Sequence, residues 1–237
     1  MKSGIEWVMR LLIGMLFVLL LSLYVFEWVS TDPSRYDAYQ SRLDVYASVG
    51  VSAEELQLVQ QDMAASLKTG FPLYNREVTL FNQRQPIFNE REMMHMQDVI
   101  GLFELERVVR MIAQMLLLML VVIYVILFRA ERNRRTVGKA LTLFLALGCW
   151  LLLGLIFAAS CSFSFDRAFI RFHEILFTND LWQLDPRTCA MIRMYPEQFF
   201  LWMGRDLTLW MGASALGASA LIFLIAYPWR RHGKKAN

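Results

Sequence analysis

Four stretches of this chain are too long and too free of charge to lie anywhere but in lipid. They are Leu11–Phe26, which extends back through Trp7–Met9, then Met111–Phe128, Ala140–Phe165 and Leu207–Trp229. A hydrocarbon core about 30 Å thick needs roughly 17–25 helical residues to cross it, and each stretch, the first with its flanks, meets that length. Lipid cannot hydrogen-bond an exposed backbone, so the crossings must be helical. With 57% of its 237 residues hydrophobic, the chain is also more apolar than a soluble domain. The expected fold class is an all-α membrane protein, a four-transmembrane-helix bundle with a small, mainly helical extracytoplasmic cap. The first stretch is longer than a signal-peptide core, and Glu27–Thr31 supplies no small-residue cleavage site, so it reads as a retained helix.

Orientation follows from the basic residues. Lys2 and Arg10 flank the first span, Arg129, Arg132, Arg134, Arg135 and Lys139 fill the second connection, and Arg230, Arg231, Lys234 and Lys235 form the tail. Dense Lys/Arg in short segments belongs on the cytoplasmic side. Both termini are therefore expected on the cytoplasmic side of a cell membrane. The segments read as a first span (1–29), a cap (30–110), a second span (111–128) and a basic cytoplasmic loop (129–139). A third span (140–165), a second outer segment (166–206), a fourth span (207–229) and a basic tail (230–237) follow. Topology and anionic lipid account for the basic clusters, so the net charge of +3 gives no argument for nucleic acid.

Within the cap, Tyr36, Tyr39, Leu43 and Tyr46 recur at helical spacing and predict one amphipathic helix over Pro33–Ala47. Ser52 with Glu55 is a capping box and Gly70 a stop, which brackets a second helix. Residues 71–88 read as loop with a short strand at Glu77–Phe81. Asn89 with Glu92 repeats the capping pattern, and no breaker follows, so a helix from near Glu90 should run into the second span. In the second outer segment, Ser164–Leu176 reads as helix, and Pro196 opens another that leads into the fourth span. That span carries small residues at four-residue spacing, Ala213 with Gly217 and Ser214 with Ala218, an expected helix–helix contact within the chain. Cys149 lies mid-membrane, Cys161 and Cys189 on the outer side; whether the latter two pair is left open.

Few side chains can carry chemistry. His232 belongs to the basic tail, which leaves His95 and His173, both just outside the membrane. Glu92, His95 and Asp98 share a helix face, so carboxylates flank the imidazole, as in a general base or as in a plain charged stripe. His173 sits near Asp166 and Arg171 among Phe163, Phe165, Phe169, Phe172, Phe177 and Trp182. The aromatics fit an interfacial belt; the His and Arg among them do not need one. No Gly-x-Ser-x-Gly appears, and no His-x-x-x-His or Cys-x-x-Cys spacing supports a metal. Acid–base work by two histidines on a substrate that brings its own nucleophile remains, beside a metal-dependent hydrolase and a non-enzymatic assembly or signalling protein with a binding cap.

Three stretches then carry a resemblance. Phe88-Asn89-Glu90-Arg91-Glu92 with His95, Met96, Asp98 and Val99 is the first. The second is Phe172-His173 with Phe177, Asn179-Asp180, Trp182 and Leu184-Asp185-Pro186, and the third Tyr195-Pro196-Glu197 with Phe199-Phe200. Together with the four-helix layout they resemble the bacterial integral membrane family that includes the lipoprotein intramolecular transacylases. Cys189 stands where that family often has an acidic residue. The resemblance implies an acyltransferase that moves the sn-2 acyl chain of a diacylglyceryl lipoprotein onto its N-terminal cysteine α-amine, giving the lyso-form. It implies no cofactor and no metal, with lipoproteins and membrane lipids as partners; the oligomeric state stays open. It casts His95 as base, oriented by Asp98, and His173 as acid or oxyanion ligand, an order that can be reversed. Arg171, Glu92, Asp180 and Trp182 are then candidate substrate contacts.

Overall fold

The computed structural model of the protein describes residues 2–80, 82–128 and 165–226. Helix α1 (Lys2–Ser30) stops short of Pro33, whose ring disfavours helical geometry in the residue before it. The chain restarts as α2 (Pro33–Arg42), where the Asp32 carboxylate accepts from Ser34 N–H at 3.1 Å. The one helix expected over Pro33–Ala47 is in fact two. Asp44 lies at φ +51°, in the left-handed region that breaks a helical ladder, and α3 (Val45–Val49) follows it. Helix α4 (Ala53–Thr69) has the predicted ends: Ser52 Oγ accepts from Glu55 N–H at 3.2 Å, and Gly70 closes it at φ +79°.

Strand β1 (Glu77–Leu80) was legible in the sequence, but its partner β2 (Gln83–Pro86) was not. The two pair antiparallel, Glu77 opposite Pro86 and Leu80 opposite Gln83. Every β2 residue is exposed, so no apolar alternation marked it. Helix α5 (Glu90–Phe128) runs unbroken for 39 residues, through Gly101, as expected. Beyond it come α6 (Phe165–Leu176), the short α7 (Ala190–Met194) and α8 (Glu197–Ala226), which begins directly after Pro196. Among the described residues, α1 from Gly4 and α5 are long and apolar enough to cross a membrane. The expected third span before Phe165, the basic loop, the end of the fourth span, the tail, Cys149, Cys161 and His232 lie outside the described residues.

Helix α1 packs along α5 and α8. Two polar latches join α1 to α5, Glu27 with Arg110 near the C-terminal end of α1 and Arg10 with Tyr124 (3.1 Å) near its N-terminus. Of the small residues of α8, Ala215 and Ser219 are buried, with Ala215 beside Val18 of α1; of the two expected pairs, Ser214 and Ala218 are half-buried and Ala213 and Gly217 exposed.

Outside the spans, one core joins Leu56, Val59, Met63 and Leu67 of α4 to Met96, Ile100 and Phe103 of α5, Val78 of β1, and Met191 and Met194 of α7. A buried polar chain crosses it. Gln40 donates to Met194 O at 3.0 Å, Gln60 to Gln40 Oε1 at 3.0 Å, and Tyr195 O–H to Gln60 Oε1 at 2.8 Å. Every polar atom buried there has a partner, as burial requires.

Candidate active site

The two histidines converge. His95 comes from the second turn of α5 and His173 from the third turn of α6; their ring centroids lie 6.1 Å apart, and each residue is 8% exposed. Phe177 packs on both rings, at 5.3 Å from His95 and 5.6 Å from His173. Trp182 stacks on His173 at 5.0 Å, and Phe169 covers its other neighbourhood at 4.1 Å. The aromatic density read from the sequence as a belt is therefore also the wall of a histidine cage.

Burial sets the protonation of both rings. His95 is pushed down to about 4, first by desolvation and then by the facing His173, with the Asp98 charge opposing. His173 is also held below the ordinary imidazole value by burial, opposed by its hydrogen bond to Phe169. Both are neutral at pH 7. The carbonyl of Phe169 can only accept, so at 2.8 Å it takes the Nδ1 proton of His173 and leaves Nε2 with the free lone pair. Nδ1 of His95 is buried without a hydrogen-bond partner.

Asp98 lies on the same face as His95, but its carboxylate accepts from Asn179 Nδ2 at 2.9 Å. It reaches His95 through charge and holds the loop after α6 through that bond. Arg91 holds the same loop by a 3.3 Å ion pair with Asp180 and a hydrogen bond to its carbonyl. Trp182 Nε1 closes the loop on Asn179 O at 3.0 Å. Trp182 is thus part of the wall around His173, while Asp180 tethers the loop to Arg91 with its side chain largely exposed.

One expected substrate contact, Glu92, is placed otherwise. Glu92 is 1% exposed, and its two oxygens accept from Met191 N–H at 2.6 Å and Asn89 N–H at 2.8 Å. It pins α7 to the start of α5 and has no surface for a substrate. Desolvation pushes its carboxyl up, while the backbone donors pull it down. Arg171 is exposed on the outer flank of α6, paired with Glu174 at 2.8 Å. Residues that the sequence left without a role are Asn179, Arg91 and Phe169; Asn89 caps α5 as expected, accepting from Glu92 N–H at 3.0 Å, and also donates to the buried free thiol of Cys189 at 3.4 Å. Of these, Asn179 was visible only as a turn signal. Among the described residues no three His, Cys, Asp or Glu side chains are grouped to hold a metal ion.

Comparison with known proteins agrees with this architecture. The structure is similar to the in meso structure of the membrane-integral lipoprotein intramolecular transacylase Lit from Bacillus cereus. The TM-score is 0.70 at 16% identity, covering 94% of this chain and 96% of that one. It is similar also to two variants of that protein in which a histidine is replaced. The arginine variant gives a TM-score of 0.68 at 16% identity over 94% of this chain and 93% of that one; the alanine variant gives 0.66 at 17% over 95% and 93%. At such identities the likeness establishes a shared membrane fold. No match is found among curated proteins. The sequence model of the family "Lipoprotein intramolecular transacylase Lit" matches residues 10–200, most of the chain, and the protein belongs to that family.

Proposed function

We propose that this protein is an acyltransferase that moves the sn-2 acyl chain of a diacylglyceryl lipoprotein to the α-amine of its N-terminal cysteine. The observation that carries the reading is the facing pair of buried, neutral imidazoles, 6.1 Å between centroids. In this reading the acyl carbonyl lies between the two rings, within reach of a nitrogen on each. The substrate supplies nucleophile and acyl group, so the protein needs only to hold them together and move protons.

The α-amine has a pKa near 8, so about a tenth is free base at pH 7 after losing a proton to water. Its nitrogen attacks the sn-2 carbonyl carbon, and the carbonyl π pair moves to oxygen. The new C–N bond leaves a positive nitrogen far more acidic than the parent ammonium, so an imidazole of lowered pKa can take its proton. His173 Nε2, whose lone pair the Phe169 carbonyl fixes, is the acceptor in this reading. The C–O bond to glycerol then breaks, and His173 returns the proton to the departing oxygen. His95 faces the developing oxyanion. Asp98 biases His95 through its charge and steadies the Asn179–Trp182 loop, and Trp182 lines the acyl path with Phe177. Arg171 on the rim meets headgroup oxygens.

The surroundings suit a lipid substrate. Beside His173 on α6, Phe172 is half exposed and Ile175 is 81% exposed, an apolar flank turned away from the protein. In this reading the flank lies at the outer leaflet, as expected from four spans and from the basic segments of the sequence.

The test expresses the chain in a host whose lipoproteins are diacylglyceryl forms and reads lipopeptide masses. Wild type should yield the lyso-form, while His95→Ala and His173→Ala should each leave the diacyl form. Lipopeptides unchanged by the wild-type chain would overturn the assignment.

A further inference from the structure

The lower end of the cap carries a feature that acyl transfer does not use. Helix α4 descends beside α5. Near its start, Glu55 accepts from Thr79 N–H at 3.1 Å; further down, Asp62 pairs with Arg76 at 2.6 Å; at its end, Leu67 O accepts from Arg107 at 2.7 Å. The chain therefore goes down α4, turns after Gly70 and climbs back through Arg76 to β1. A Cβ at Gly70 would clash with the Glu104 carboxylate, so the turn lies flush against α5 at that height.

Glu104 and Arg107 precede Met111, the start of the uncharged run, by seven and four residues, which is about 10 and 6 Å of helix. The lipid surface of α5 starts higher still. Arg107 and Arg110 turn inward to Leu67 O and Glu27, while Leu105 and Val108 are exposed. At this level Phe71 stands 72% exposed, with Lys68 and Pro72 also exposed beside it. Leu73, two residues on, turns back into the core. Among the described residues no ring packs on Phe71, and Tyr74, 64% exposed, turns to Arg76 instead.

We propose that the Lys68–Pro72 turn is a membrane-docking site that inserts Phe71 into the outer-leaflet interface and sets Lys68 against lipid phosphate. The ring buries apolar area among acyl chains near the headgroups, and the lysine stem reaches up to the anionic layer. The cap is thereby seated on the bilayer as well as tethered through α1, α5 and α8.

The experiment places a photoreactive benzoylphenylalanine in the full chain at Phe71 or, separately, at Leu58. Leu58 is exposed eleven residues before the end of α4, about 16 Å up the helix. Each variant is reconstituted in phosphatidylglycerol vesicles, irradiated and weighed intact. The expected result is a phospholipid adduct at 71 and none at 58. No adduct at 71, or equal adducts at both, overturns the docking site. In the Phe71 variant, Lys68→Glu should reduce the adduct in phosphatidylglycerol and in phosphatidylcholine vesicles, which carry the same phosphate; an undiminished adduct in both overturns the phosphate contact. Neither outcome bears on lyso-form production, which the histidines govern.

Discussion

An imidazole held near pKa 4 cannot titrate in the range where the enzyme works, and that makes the substrate visible in the kinetics. His95 is neutral above about pH 5, and His173 is shifted the same way. The ionisation left in the neutral range is the α-amine. Turnover should therefore rise about tenfold per pH unit below pH 8 and level off above it. Lipopeptide conversion by purified enzyme between pH 5.5 and 9 measures this, and a plateau reached already at pH 6.5 would contradict it. Asp98 divides its influence between charge and tether. Asp98→Asn can still accept from Asn179, so the loop stays and only the charge is lost; Asp98→Ala loses both. The first should retain most of the activity and the second should lose substantially more. Equal losses would mean that the charge alone matters.

At the scale of elements, Glu92 shows how a residue can be singled out correctly for a different role from the expected one. Its spacing from His95 marked a functional face, but the carboxylate closes α7 onto α5 instead. Glu92→Ala leaves the buried Met191 N–H unpaired and frees the part-buried Asn89 N–H, at a cost of about 2 kcal/mol. Thermal unfolding in detergent should fall accordingly, while KM for a lipopeptide substrate at low temperature should stay near wild type; a raised KM with normal stability would return Glu92 to the binding site. The same contrast runs through the fold. Helices with caps and stops, α4 and α5, were legible because Ser52, Gly70 and Asn89 act on their own neighbours. The break at Asp44 was not, because the helical period of the tyrosines continues across it. Strand β2 was not, because a solvated edge of polar residues carries no period. The two histidines could be chosen from the sequence by scarcity and position. Their cage could not, since Phe169, Phe177 and Trp182 take meaning only when α6 folds onto α5.

Across the whole molecule, the buried histidines couple stability to acid. A ring with its pKa lowered from 6.5 to about 4 binds fewer protons when folded than when unfolded, so stability rises with pH across that window. It is fully present above pH 6.5 and is lost as pH falls toward 4. For His95 alone the integrated effect is about 3 kcal/mol. Glu92 acts with the opposite sign, because its raised carboxyl binds more protons in the folded state and costs stability as pH rises above 4.5. The raw melting curve therefore mixes the two, and a difference separates them. His95→Gln keeps a polar group of similar size and removes the titration. Wild type minus His95→Gln, measured by thermal unfolding in detergent at matched pH, should grow more favourable to wild type by about 3 kcal/mol from pH 4 to pH 7. A flat difference would place His95 in water rather than in the cage, and with it would go the neutral imidazole pair on which the acyl-transfer reading stands.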